Sequence, residues 1–168
     1  NAQTYLNKAL EIAKETSNTI HIATIIGKLG DCEYDIGNFD IALKKFNEEL
    51  SLFKEQEDNI GIAIAQGHLG MVLLQKGDLD PALNHFKKQY TISKKNDSKN
   101  LILTALGNIS TIYNMRGQYD QSLEIYNEVM MIAEDIYNIR HQAQTYGNIG
   151  ILYKNMKNYE KAEKNDTK

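Results

Sequence analysis

Side chains that could act as nucleophiles, general bases or metal ligands are few and widely separated in this sequence. The four histidines lack both the HExxH spacing of a zinc site and a neighbouring cysteine pair, so we predict no metal site. They are His21, His68, His85 and His141. The only cysteine, Cys32, shares its place in an internal repeat with Val72, Ile112 and Leu152, which indicates a buried, inert thiol. Because no nucleophile–base pair and no phosphate-binding loop is present, we predict a protein that is not an enzyme and needs no cofactor.

Composition narrows the classes of partner. The net charge is −3, and only Arg116 and Arg140 are arginines among 19 basic residues, which argues against a nucleic-acid-binding surface. No apolar run approaches the roughly 20 residues that cross a bilayer, so no membrane association is predicted. A single cysteine rules out an intramolecular disulfide and favours a reducing, cytoplasmic location.

The elements that must position any site repeat every 40 residues, without an insertion or deletion. One series places an apolar residue before a small one, at Leu29-Gly30, Leu69-Gly70, Ile109-Ser110 and Ile149-Gly150. Another places a small residue at Ala2, Ala42, Ala82, Ser122 and Ala162. A fixed period in this range is typical of stacked repeats, in which each unit contacts mainly its neighbours. Function is therefore expected on an extended surface rather than in one catalytic pocket.

Each period contains two helical stretches with apolar residues at spacings of three and four. Glycines at 37, 77 and 117 are expected to end the first helix in a left-handed conformation, and an acidic residue three positions later suits the next helix start. These acidic residues are Asp40, Asp80, Asp120 and Glu160. The predicted helices are 1–15, 20–36, 40–56, 60–76, 80–95, 100–116, 120–135, 140–156 and 159–166.

Two further small-residue series lie inside the first helices. The first comprises Gly27, Gly67, Gly107 and Gly147, and the second Gly30, Gly70, Ser110 and Gly150. A glycine inside a helix costs about 1 kcal/mol relative to alanine, so a packing reason is expected. We predict that the second series approaches the partner helix at its alanine or serine, and that the first brings backbone close to a neighbour or opens space in a groove.

These spacings resemble the tetratricopeptide repeat. The second period supplies Leu69-Gly70, Leu73, Gly77, Leu79, Ala82 and Phe86, and the third supplies Ile109-Ser110, Tyr113, Gly117, Tyr119, Ser122 and Tyr126. A period of 40 rather than the usual value of about 34 is similar to the subgroup in Pins-type adaptors, kinesin light chains and bacterial peptide-sensing regulators. The sequence departs from the pattern where Glu33 replaces an aromatic residue, and where Glu49 and Gln89 take a position that is commonly alanine.

The resemblance implies an all-α, right-handed solenoid of antiparallel helix pairs, extending as a single array over 1–168. Residues 1–18 would be the second helix of a truncated repeat, 19–58, 59–98 and 99–138 full repeats, and 139–168 a partial repeat. Since both ends interrupt a helix pair, we expect either a fragment of a longer array or open ends that pair in a homo-oligomer.

In the family, the first helix of each repeat lines a concave groove, and the resemblance implies the same here. The positions that change character between repeats are the expected partner contacts, with ordinary solvated surface as the alternative reading. They are Lys28, Asp31, Tyr34, Asp35, His68, Met71, Leu74, Gln75, Asn108, Thr111, Asn114, Met115, Asn148, Ile151, Lys154 and Asn155. The carboxylate clamp of chaperone-binding members is not expected, because the first glycine series occupies one of its positions.

We therefore predict a non-enzymatic module that binds a protein or peptide in this groove. Two alternatives stay open at this point. One is a ligand-sensing regulatory domain of a larger signalling or transcription-regulating protein, and the other is a self-assembling structural repeat.

Overall fold

A computed structural model describes the backbone of residues 2–166 and the side chains of residues 2–157. All the regular structure within this part of the chain is α-helical. The helices are α1 (Ala2–Glu15), α2 (Thr19–Asp35), α3 (Phe39–Glu55), α4 (Asn59–Lys76), α5 (Leu79–Lys95), α6 (Lys99–Met115), α7 (Tyr119–Asp135) and α8 (Ile139–Asp166). Among the residues described, none of these helices is long and apolar enough to cross a membrane.

The first seven predicted helices and the start of the eighth are confirmed to within about two residues. The predicted break before a ninth helix at 159–166 is wrong, because α8 continues to Asp166. The physical reason is the residue at the expected turn: Lys157 stands where the earlier repeats have a glycine that adopts a positive φ angle. The side chains of Tyr159, Glu160 and Ala162, which belong to the predicted series, lie outside the described residues.

The chain forms two compact units, Asn1–Ser98 (unit 1) and Lys99–Lys168 (unit 2). In unit 1, α2 packs on α3, α4 packs on α5, and α3 also packs on α4. In unit 2, α7 packs on both α6 and α8. The core of unit 1 includes Phe46, Leu50 and Phe53 of α3 together with Leu69 and Val72 of α4. Their spacing of three and four residues places them on one face of each helix, as the periodicity predicts.

Two kinds of turn connect the helices. Within a pair, Gly77 has φ = 85°, and Gly37 and Gly117 likewise have positive φ angles, as predicted. Between pairs, the left-handed residue is not glycine, and it recurs with the same 40-residue period. These residues are Ser17, Glu57, Asp97 and Tyr137, with φ between 50° and 53°. The left-handed conformation is strained for a residue with a Cβ atom, so these turns are sites of backbone strain.

At three of its four positions, the second small-residue series provides a close contact between paired helices. A Cβ atom at Gly70 would lie 2.6 Å from the ring of Phe86, and one at Gly30 would lie 2.5 Å from the ring of Phe46. In unit 2, the hydroxyl of Ser110 donates to the carbonyl oxygen of Ser122 at 2.7 Å. The prediction of close approach is confirmed at Gly30, Gly70 and Ser110, although the nearest groups to the two glycines are aromatic rings rather than an alanine. It is not confirmed at Gly150, where a Cβ atom would have no described neighbour within 4 Å.

Candidate functional site

The sixteen predicted contact residues lie on the first helices of the pairs, four each on α2, α4, α6 and α8. We call this set the groove face. All sixteen keep part of their surface open to solvent. The most exposed are Lys28, Asp35, Gln75, Met115, Ile151 and Lys154, and the others are half-buried. The four on α2 and the four on α4 belong to unit 1, and the remaining eight to unit 2.

In unit 1, groove-face residues converge on a carboxylate. Glu49 of α3 is only 2% exposed, and its Oε2 lies 2.9 Å from Nδ1 of His68 on α4. The other ring nitrogen of His68 lies 3.9 Å from Asp31 on α2, and Lys28 also acts electrostatically on the pair. The imidazole stacks against Phe46 with ring centroids 4.6 Å apart. A buried carboxylate is stable only with such partners.

Two members of the first glycine series provide space for polar side chains. The carboxylate of Glu49 occupies the position that a side chain at residue 27 would fill, and its oxygen lies against Gly27. In the next pair, the carboxamide of Gln89 lies against Gly67 in the same way, with Nε2 2.6 Å from the position of a Cβ atom. Glycine at these positions costs helix stability, and this cost is offset because the missing side chain leaves room for a polar group of the neighbouring helix.

The buried pair has shifted pKa values. Burial raises the pKa of Glu49, and the hydrogen bond and charge of His68 oppose this shift only in part. Burial alone would lower the pKa of His68, but the hydrogen bond and charge of Glu49, together with Asp31, raise it above the ordinary value. The imidazole is therefore more readily protonated than in water.

In unit 2, groove-face residues line an open cavity of about 330 Å³ between α6, α7 and α8. The predicted contacts among its lining residues are Asn108 and Thr111 of α6 and Asn148 of α8. Gly107 also lines it, and a Cβ atom there would have no neighbouring side-chain atom within 4 Å. Val129 of α7 also lines it and is 1% exposed.

The cavity has a polar wall with one charged group. Arg140 of α8 is exposed and lines the cavity together with Gln144 and His141. Burial, reinforced by the positive charge of Arg140, lowers the pKa of His141, so this imidazole is neutral at pH 7. The hydroxyl of Thr145 donates to the carbonyl oxygen of His141 at 2.7 Å, so it is already engaged by its own helix. Carboxamides and one guanidinium are therefore part of the cavity lining.

Other groove-face residues join neither cluster. The ring of Tyr34 packs against Phe39 with centroids 5.7 Å apart, which makes it part of its own helix pair. Asn155 donates a hydrogen bond of 3.1 Å to the side-chain oxygen of Asn114. Met115 is 59% exposed and available for apolar contact. Within the described side chains, no group of three or more His, Cys, Asp or Glu residues is placed to hold a metal ion.

Sequence reasoning missed several polar residues that lie beside the groove-face residues. Glu49 was visible only as a departure from the expected alanine, and Arg140, His141 and Gln144 were not predicted as contacts. The missing signal is a spacing of 22 residues between a glycine and the residue of the partner helix that either fills the space beside it or leaves that space open. This spacing pairs Gly27 with Glu49, Gly67 with Gln89, and Gly107 with Val129.

Comparison with known proteins places this architecture in a family. The tetratricopeptide repeat family matches residues 21–95 and 101–168, well over half of the chain. The chain belongs to the tetratricopeptide repeat family. The predicted fold class, an all-α solenoid of helix pairs, is thereby confirmed, and the chain is a repeat scaffold of the kind used in protein interactions. No curated protein sequence matches it.

Solved structures with the same fold differ widely from this chain in sequence. Aspartyl phosphate phosphatase F from Bacillus subtilis has a TM-score of 0.84 and 19% identity over 97% of this chain. A Rap protein complexed with competence and sporulation factor has a TM-score of 0.79 and 18% identity over 94%. BtubC (BKLC) from P. vanneervenii has a TM-score of 0.77 and 19% identity over 89%. This chain spans 43%, 46% and 63% of their respective lengths.

Proposed function

We propose that this tetratricopeptide array is a non-enzymatic module that binds a peptide or protein segment on the groove face. The observation that carries the proposal is the cavity of about 330 Å³ in unit 2, lined by Asn108 and Asn148 from two successive first helices. A concave site with a few converging polar groups is the usual form of a binding site. Family membership supports a polypeptide as the ligand.

The side chains of the groove face suit an extended peptide. Each carboxamide presents both donors and an acceptor, so Asn108 and Asn148 match the alternating N–H and C=O groups of a peptide backbone. Met71 and Leu74 in unit 1 are half-buried apolar side chains that adapt to varied ligand surfaces. Because the groove-face residues lie on packed helices, we expect only a small loss of conformational entropy on binding. The similar Rap structure, which holds competence and sporulation factor, supports a binding role.

The test compares two double variants with the unaltered chain. Fluorescence polarisation with a pool of labelled, end-blocked hexapeptides of random sequence measures binding. The groove variant carries Asn108→Ala and Asn148→Ala. The matched control carries Asn84→Ala and Asn127→Ala, which are exposed residues of the second helices α5 and α7.

We expect at least fivefold weaker binding by the groove variant and unchanged binding by the control, with the same helical circular dichroism in all three proteins. Equal affinities of the groove variant and the unaltered chain would contradict the groove assignment. No binding of any peptide by the unaltered chain would contradict peptide binding itself.

Self-association is a second candidate, favoured by exposed apolar side chains on α1 and α8. Tyr5 is 74% exposed and Ile12 61% on α1, while Ile139 is 76% and Tyr146 63% exposed on α8. Apolar surface of this kind is found at interfaces. Light scattering over a hundredfold range of concentration tests this candidate, because a constant monomer mass would remove it. The remaining alternative, a ligand-sensing regulatory domain, would use the same peptide site and couple it to an effector domain. The peptide-binding test described above therefore applies to it as well.

A further inference from the structure

The space at one position of the repeat is filled by a polar side chain in unit 1 and is open in unit 2. In unit 1, the space beside Gly27 holds the carboxylate of Glu49, and the space beside Gly67 holds the carboxamide of Gln89. In unit 2, the equivalent residue of the second helix is Val129, which is too short to reach Gly107. The space beside Gly107 is accordingly open and forms part of the cavity.

The groups around this open space correspond to those around Glu49. Asn148 occupies the repeat position of His68, whose Nδ1 lies 2.9 Å from the Glu49 carboxylate. Asn108 occupies the position of Lys28, which also acts on that carboxylate. Unit 2 thus retains a polar surround with hydrogen-bond donors but lacks the acidic group that fills its counterpart.

We propose that the cavity of unit 2 receives an acidic side chain of the bound peptide, whose carboxylate lies beside Gly107 as that of Glu49 lies beside Gly27. This inference rests on the proposed peptide-binding function and names the chemistry that the site selects. The ligand supplies in unit 2 the group that the chain itself supplies in unit 1.

The charge of the lining favours a carboxylate over a carboxamide. Among the described residues that line the cavity, Arg140 is the only charged one, and none is acidic. A guanidinium recognises a carboxylate with two parallel hydrogen bonds, which gives both strength and geometric selection. The neutral carboxamides of Asn108, Gln144 and Asn148 add N–H donors without competing charge.

The proposal is tested with three pools of end-blocked hexapeptides in which one position is fixed as Glu, Gln or Lys and the others are random. For the full chain, we expect the Glu pool to bind at least tenfold more tightly than the Lys pool. We also expect it to bind at least threefold more tightly than the Gln pool. Equal binding by the Glu and Lys pools would overturn the inference while leaving peptide binding intact.

Two substitutions test whether the preference for the Glu pool arises in the cavity of unit 2. Val129→Glu supplies an internal carboxylate at the position of Glu49, and it should abolish the preference for Glu. Arg140→Gln should reduce the preference at least fivefold, whereas Arg116→Gln, the same change outside the cavity, should retain it. If Val129→Glu lowers helical circular dichroism, Gly107→Ala serves instead, because its methyl group enters the same open space. A preference that survives both Arg140→Gln and a folded variant at Val129 or Gly107 would overturn the inference.

The failure of the inference and the failure of the proposed function give different results. Similar affinity for all three pools would contradict the acidic subsite and leave the proposed peptide binding intact. Binding of none of the pools removes peptide binding, and the subsite with it. Loss of binding in the Asn108 and Asn148 double variant, without any Glu preference in the unaltered chain, supports the groove face but contradicts the acidic pocket.

Discussion

The carboxylate of Glu49 and the imidazole of His68 join consecutive helix pairs through a contact of 2.9 Å between Oε2 and Nδ1. Glu49 reaches back to Gly27 of its own pair and forward to α4 of the next. One buried acid therefore links three helices of unit 1. A residue that departs from the family pattern thus makes specific contacts with two other helices.

The pair makes a measurable contribution to folding. His68→Ala leaves the Glu49 carboxylate buried without its main partner, so we expect a loss of about 2–4 kcal/mol in the free energy of unfolding. Glu49→Gln should cost about 1 kcal/mol or less, because Gln89 already occupies the equivalent position in the next pair. Urea denaturation measures both values. A smaller loss for His68→Ala than for Glu49→Gln would contradict this account.

The same pair predicts how stability depends on pH. The folded-state pKa of His68 is raised above its ordinary value of 6.5, so the folded state holds a proton that the unfolded chain releases. The resulting stabilisation is fully present below about pH 6.5 and is lost as the pH rises through the folded-state pKa.

We therefore expect the stability difference between the unaltered chain and His68→Asn to shrink from pH 6 to pH 9. Asparagine is the residue of this position in unit 2, so the variant retains a polar side chain that the repeat accepts. Taking the difference cancels groups whose pKa does not depend on residue 68, including His85 and His141, whose pKa values are lowered by burial. Glu49 is not among them, because the hydrogen bond and charge of His68 lower its pKa. A difference that grows as the pH rises would refute the assignment.

The helix glycines should respond in opposite directions to the same substitution. At Gly107, a methyl group meets open space, so Gly107→Ala should stabilise the chain by about 0.5–1 kcal/mol through helix propensity. At Gly70, the methyl group would lie 2.6 Å from the Phe86 ring, so Gly70→Ala should destabilise it by about 1–3 kcal/mol. Thermal unfolding of the two variants gives the signs, and two values of the same sign would be inconsistent with the packing described.

A strained turn offers a simple stabilising change. Tyr137 has φ = 52° and is 87% exposed, so its side chain contributes little packing to offset the strained backbone. Tyr137→Gly should raise the free energy of unfolding by about 1 kcal/mol, since glycine adopts this conformation without steric cost. The control is Tyr5→Gly inside α1, which should lower it by about the helix cost of glycine. Equal effects on the melting temperature would contradict the turn argument.

Much of the fold was predictable from periodicity, because apolar residues at spacings of three and four identify helices whatever the partner. Gly37, Gly77 and Gly117 located one kind of turn correctly, since glycine is the residue that a positive φ angle favours. The turns between helix pairs could not be predicted in this way, because Glu57 and Tyr137 adopt the same positive φ angle although neither residue type is typical of it.

The candidate site was less predictable than the fold. The repeat placed the predicted contacts on the first helices, and three of them, Asn108, Thr111 and Asn148, line one cavity. Whether a glycine leaves an open space or a filled one depends on a residue of the partner helix, 22 positions away. That relation becomes apparent only when the helices are packed together.

The most direct measurement is the location of peptide binding by ¹H–¹⁵N NMR on the full chain, using the peptide pool that binds most tightly. The account predicts that the side-chain amides of Asn108 and Asn148 and the backbone amide of Gly107 shift on titration. The side-chain amides of Asn84 and Asn127 should stay in place. Shifts confined to Asn84, Asn127 and their second helices would contradict the central claim that the groove face binds the partner.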